Sequence, residues 1–123
     1  MYPRQIAAQV HRYMAALNAH DMALIEQLYD DNAVAEDPAG SDPRAGIAAI
    51  KSLYERTFTL NISARLTGDL RISSSDIAFP LTVSLQSGEN QFKIDVINVC
   101  TFNDAGKIVA RKSYWGPDNL SKR

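Results

Sequence analysis

Three polar residues conflict with simple patterning, and each is of a type that can hold or move a proton. Asp37 lies in Glu36-Asp37-Pro38. Proline disfavours the helical region for the residue before it, so Asp37 is expected to stand extended at the mouth of a loop. An acid before proline is also common in plain turns, and a role as base requires an apolar pocket beside it. Asn98 shares strand parity with Ile94, Val96, Cys100 and Phe102, so the pleat points it with four apolar neighbours. An unpaired buried polar group costs roughly 1–3 kcal/mol, so its amide needs a partner; backbone groups at a bulge would serve as well as a ligand. Tyr13 lies on the apolar side of the first helical segment, where a core tyrosine often sends its hydroxyl to the surface. Tyr29 and Tyr54 also fall on apolar faces, and three phenols directed toward one interior suggest a hydrogen-bonded cluster.

The elements that must position these groups change character midway along the chain. Ile6, Val10, Met14 and Leu17 recur at spacings of three and four, which predicts a first helix. Asp21 is a plausible N-cap for a second, whose Leu24, Ile25, Leu28 and Tyr29 form an apolar stripe that Asp30-Asp31-Asn32 ends. Ala33 to Asp37 reads as extended, followed by turns around Pro38, Gly40, Asp42, Pro43 and Gly46. A third helix carries Ile47, Ile50, Leu53 and Tyr54 on one face. After about residue 60 the period becomes alternating, first at Ile62, Ala64 and Leu66. Ile77 to Leu85 is strand-like, with Pro80 implying an edge or bulge. Ser87-Gly88-Glu89-Asn90 turns into a long strand, Gln91 to Phe102, and Asn103 to Gly106 turns again into Lys107 to Trp115. Helices first and hairpin-linked strands afterwards indicate an α+β fold with helices on one face of the sheet.

Composition narrows the function classes. The 123 residues suit one domain, residues 1–123, and the formal charge of −1 gives no attraction to nucleic acid or anionic membrane. The single cysteine, Cys100, excludes an intramolecular disulfide and sits in an apolar run, as a buried structural thiol would. His11 and His20 lack a matching carboxylate spacing, so no metal site is expected. No phosphate-binding glycine loop or nucleophile elbow is present. No segment approaches membrane-spanning length, and the first residues lack the apolar stretch of a signal peptide, so the cytoplasm is the expected compartment.

Together these residues resemble the Δ5-3-ketosteroid isomerases, within the nuclear-transport-factor-2-like, or SnoaL-like, superfamily. Arg12-Tyr13 followed by Ala15-Ala16-Leu17-Asn18-Ala19 is similar to the helix carrying that family's oxyanion tyrosine. Glu36-Asp37-Pro38-Ala39-Gly40-Ser41 resembles the segment of its catalytic base, and Asp95-Val96-Ile97-Asn98-Val99 the strand of its second oxyanion donor. Tyr114-Trp115 matches the C-terminal segment of some members, and Tyr29 and Tyr54 fall where a subset has tyrosines bonded to the oxyanion tyrosine. The resemblance implies a conical barrel-like fold: a curved, mixed but mainly antiparallel sheet packed on three N-terminal helices.

It also implies an activity without cofactor or metal. Asp37 would remove the proton next to the ketone of a small apolar substrate, a steroid, leaving a dienolate. Tyr13 and Asn98 would donate hydrogen bonds to its oxygen, and Asp37 would return the proton two carbons along. Neutral donors preorganised where charge develops make a cation or metal unnecessary. Leu17, Phe58, Phe79, Leu81, Val83, Val96 and Trp115 would wall the pocket, and the protein would be a homodimer through the open sheet face. Two residues depart from the family pattern. Asn98 stands in place of a protonated aspartic acid; its amide can donate but not ionise, and as a weaker donor it implies reduced but real activity, which Asn98→Asp would preserve or raise. Arg111, in place of an apolar pocket residue, either snorkels to the rim with its stem against the ligand or pairs with an anionic group on a different substrate. A polyketide-cyclase-like enolising enzyme and a non-catalytic small-ligand-binding module are the alternatives on this fold.

Overall fold

Each of the three helices buries the apolar stripe that its periodicity sets out. In the computed structural model, which describes residues 2–123, α1 spans Pro3–Ala19, α2 Met22–Leu28 and α3 Ile47–Phe58. Along α1, Ile6, Val10, Tyr13, Met14 and Leu17 are buried on one side. The Asp21 side chain accepts from the Leu24 amide at 3.1 Å, the expected cap of α2.

The second half is strand after strand. The sheet comprises β1 (Tyr29–Glu36), β2 (Arg44–Ala45), β3 (Ser63–Leu66), β4 (Arg71–Ser73), β5 (Asp76–Ser87), β6 (Asn90–Phe102), β7 (Ile108–Tyr114) and β8 (Leu120–Lys122). Its order is β2-β1-β7-β6-β5-β3, with β4 added to β5 and β8 to β6. Every pairing is antiparallel except β1 with β7. The fold is therefore α+β, three helices on a mixed, mostly antiparallel curved sheet, as the periodicity and the resemblance imply. Their shared core runs from Ile6 and Val10 on α1 through Ile25 and Leu28 to Ile77, Cys100 and Ile108 on the sheet. Among the described residues no helix is long and apolar enough to cross a membrane.

Two local expectations need correction. The second helix stops at Leu28, and Tyr29 is the first residue of β1, not the last of a helical stripe. Asp30-Asp31-Asn32 does not terminate the helix; it lies within β1, where the register against β7 shifts between Tyr29 and Val34. There the Asp30 carboxylate accepts from the Asn32 amide at 3.0 Å, a local bond that competes with the ladder. Tyr29, Ala33 and Ala35 still share the buried side. Pro80 sits where β5 passes from pairing with β4 to pairing with β3, its carbonyl accepting from the Thr67 amide at 3.0 Å. Proline is tolerated at that break, where a ladder would otherwise require its missing donor.

Candidate active site

A cavity of about 320 Å³ opens between α1, α3 and the concave side of β5, β6 and β7. Most of its wall is apolar: Leu17, Leu53, Leu60, Ile62, Leu81, Val83 and Val96 among others. Polar groups converge on it from five elements or junctions: Tyr13 on α1, Asp37 after β1, Tyr54 on α3, Asn98 on β6, and Arg111 and Ser113 on β7. A mainly apolar hollow with a few convergent polar groups is the usual form of a small-molecule site.

Asp37 is held from both flanks. β1 delivers the chain to Glu36, and the Ala39 amide donates to the Ser113 carbonyl at 2.7 Å, tying the following loop to β7. Gly40, at φ +92°, closes the turn in a conformation that side chains disfavour, and its amide donates to the Glu36 carboxylate at 2.9 Å. Trp115 Nε1 donates to Asp37 Oδ1 at 2.8 Å, and Arg111 Nη1 to Oδ2 at 3.3 Å. The Asp37 side chain remains 31% exposed, so it lies on the cavity wall and still meets solvent.

The phenols form the cluster that their helical faces suggest. The Tyr13 and Tyr54 hydroxyls are 2.8 Å apart, and those of Tyr54 and Tyr29 2.6 Å. Burial raises all three above the ordinary tyrosine range, with the Arg111 charge acting in the opposite sense. They are therefore neutral hydroxyls able to donate. Asn98, 2% exposed, accepts from the Ser113 hydroxyl at 2.5 Å through its Oδ1, which leaves its NH2 for the cavity that it lines. No bulge holds Asn98; it pairs in regular register with Phe79 on one side and Ser113 on the other.

Arg111 does not snorkel. Its side chain is 3% exposed, with Nε donating to the Tyr29 hydroxyl at 2.8 Å, Nη1 to the Asp37 carboxylate and to Ser113 Oγ, and its guanidinium 5.6 Å from the Tyr54 ring centre. Burial works against the charge, but the oxygens of Tyr29, Tyr54 and Tyr13 and the Asp37 carboxylate together hold it above the ordinary arginine range. The β7 pleat explains the inward course: Arg111 and Ser113 are buried on the side where β6 presents Asn98. Long side chains reach a rim only when their strand position is near one, and this one faces Tyr29 across the interior.

Phe58 and Phe79 do not line the cavity. Phe58 follows the cavity-facing Tyr54 and Thr57 around α3 and stacks instead on His20, ring centres 4.9 Å apart. Phe79 is buried beneath the Tyr13 ring, edge to face at 6.4 Å; it has the parity of Leu81 and Val83 but sits too deep along β5. In their place Leu53, Thr57, Leu60, Ile62, Leu85 and Ile94 contribute wall, and Ser113 bridges Asn98 to Arg111. Leu53 and Thr57 lie four apart on the face that carries Tyr54, a spacing visible in the sequence. Ser113 shares strand parity with Arg111 and Trp115, a signal visible in the sequence. Cys100 is buried and its thiol pushed up to about 12 by burial, so it is structural and not a thiolate nucleophile. Among the described residues no three His, Cys, Asp or Glu side chains gather in a way that could hold a metal ion.

A cone of this topology, with its hollow lined by an acid and neutral donors, defines a class also visible in comparisons with known proteins. The model of the SnoaL-like domain matches residues 10–111, and the chain belongs to that family. A steroid Delta-isomerase of Nocardioides simplex is 31% identical over 116 residues, covering 94% of each chain. A solved structure of SalBIII, described as an epoxide hydrolase/cyclase-like enzyme with a role in pyran ring formation in polyether salinomycin, superposes with a TM-score of 0.92. It is 24% identical, over 98% of this chain and 97% of that one, and its likeness is one of fold.

Proposed function

We propose that this protein is a steroid Δ-isomerase, converting a Δ5-3-ketosteroid or a similarly flat ketone to its conjugated isomer by proton transfer through a dienolate. The observation that carries the reading is the placement of Asp37, Tyr13 and Asn98 on the wall of one mainly apolar cavity of about 320 Å³. The kinship with a steroid isomerase supports it.

In this mechanism Asp37 is the base. Trp115 and Arg111 each occupy one acceptor position on a different carboxylate oxygen, fixing its plane while each oxygen keeps a further lone pair to receive the proton. As the C–H bond breaks, negative charge moves to the ketone oxygen, and hydrogen bonds from the Tyr13 hydroxyl and the Asn98 NH2 strengthen with it. Asp37 then returns the proton two carbons further along. The apolar wall holds the flat ring system and keeps the carbanion from water. An amide is a weaker donor than a neutral acid, so turnover is real but modest.

Wild-type protein mixed with 5-androstene-3,17-dione is expected to raise the ultraviolet absorbance of the conjugated enone well above the buffer rate. No increase would sink the isomerase reading; tight binding of a phenolic steroid without turnover would point to a ligand-binding module instead.

We further propose a homodimer through the outer sheet face. Ile97 and Tyr114, cross-strand neighbours on β6 and β7, are half exposed there, and exposed apolar neighbours on a sheet favour a partner surface. Sedimentation should give twice the 13.6 kDa chain mass, and Ile97→Asp should shift it toward the single chain; a wild-type monomer at all concentrations contradicts the dimer.

A further inference from the structure

We propose that Arg111 is a positioning residue that sets the direction of two hydrogen-bond chains, so that both end as donors inside the cavity. Heavy-atom positions alone leave the Tyr29–Tyr54 and Tyr54–Tyr13 bonds undirected, since either hydroxyl could donate in each. A guanidinium only donates and so takes one acceptor position on the buried Tyr29 oxygen; were Tyr54 to donate there as well, the Tyr29 proton would have no acceptor, which sets the direction.

Consider the chain through the phenols. Arg111 Nε donates to the Tyr29 oxygen at 2.8 Å. Tyr29 then spends its one proton on the next acceptor, the Tyr54 oxygen at 2.6 Å. Tyr54, having accepted, sends its proton to Tyr13 at 2.8 Å. Tyr13 is left with a hydroxyl proton free to point into the cavity it lines. The second chain is shorter. Arg111 Nη1 donates to Ser113 Oγ, so the serine proton goes to Asn98 Oδ1 at 2.5 Å. That bond fixes the amide with its oxygen inward and its NH2 toward the cavity. One buried cation therefore orients two groups that it does not touch. Each link, having accepted from a cation or from a polarised neighbour, is also a stronger donor than it would be alone.

The polarity is a property of the folded chain, whereas its service to a developing oxyanion rests on the isomerase reading. Neutron diffraction from crystals of the deuterated wild-type protein reads the polarity directly. Deuterium is expected on Tyr29 toward Tyr54, on Tyr54 toward Tyr13 and on Ser113 toward Asn98 Oδ1; deuterium running the other way in either chain overturns the proposal.

Its consequence is read with 4-nitrophenol, whose absorbance distinguishes phenolate from phenol, in an Asp37→Asn background free of the competing carboxylate. Preference for 4-nitrophenolate over the uncharged 4-nitroanisole is expected to fall on the order of 100-fold with Arg111→Met, in line with the loss of charge-assisted donors. Tyr29→Phe and Ser113→Ala each break one chain and keep the cation, and each is expected to lose about 10-fold. A merely structural role would change both ligands alike. If Tyr29→Phe and Ser113→Ala both retain wild-type preference, Arg111 acts through charge alone and the proposal fails. These two variants carry the test even if Arg111→Met does not fold. Absent steroid turnover with the preference intact would remove the isomerase reading and leave the polarity standing.

Discussion

Asp37→Asn is expected to lower kcat on 5-androstene-3,17-dione by about 10³-fold, the middle of the range for removing a positioned general base. Trp115 Nε1 and Arg111 Nη1 donate to different carboxylate oxygens, and the asparagine keeps one of those acceptors together with the side-chain volume; an unchanged circular dichroism spectrum then assigns the loss to proton transfer and not to collapse of the site. Asp37→Ala is a poorer probe. Arg111 is buried and Asp37 is its carboxylate partner, and stripping one member from a fully buried ion pair destabilises by roughly 3–5 kcal/mol. Because Asp37 is partly solvated, about 2 kcal/mol is the expected loss, visible as a lower denaturation midpoint. Affinity for a phenolic steroid should survive Asp37→Asn. A kcat within tenfold of wild type would mean that another group takes the proton.

Asn98→Asp is expected to reduce activity about 100-fold at neutral pH, the size of effect seen when one oxyanion donor is lost. From the sequence, the acid looked like a return to the family's donor and a gain. The geometry reverses that expectation. Residue 98 meets Ser113 Oγ, and Ser113 meets the Arg111 guanidinium, so an acid placed here faces a fixed positive charge one hydroxyl away. A nearby cation favours the ionised form, and a carboxylate at this point cannot donate; it would repel the dienolate. Combining Asn98→Asp with Arg111→Met is expected to lose far less than the product of the two single losses, because without the cation the buried acid is pushed toward its neutral, donating form. The four proteins make a thermodynamic cycle, and additive losses would remove Arg111 as the cause.

The architecture was legible because periodicity reports burial directly. The parity of Ile94, Val96 and Asn98 on β6 and the apolar stripe of α1 both carried through to the buried faces. Tyr13 and Asn98 could be picked out singly as polar residues in apolar company and Asp37 as an acid before proline, and the resemblance brought them together. The course of Arg111 was not legible. Parity places it on the same side as Ser113 but cannot tell a strand's deep end from its rim, and its acceptors Tyr29 and Asp37 lie 82 and 74 residues away. The same lack of depth misassigned Phe79. The helix end after Leu28 was missed because Tyr29 continues the helical spacing by coincidence, while tertiary pairing with β7 draws it into a strand.

The burial of Arg111 against Asp37 has one more consequence, for which molecules the hollow can admit. Carboxylate and guanidinium together carry no net charge, and an uncharged ketone leaves the enclosure electroneutral on entry. In the proposed reaction, when the proton passes to Asp37, the counter-ion of the guanidinium would cease to be the carboxylate and become the dienolate; the ion pair would change partner while the total stays at zero. A ligand that arrives already anionic would instead leave an excess negative charge in a mainly apolar space. On the isomerase reading the pair would work as a charge filter, admitting neutral carbonyl compounds and turning away their carboxylated or sulfated counterparts.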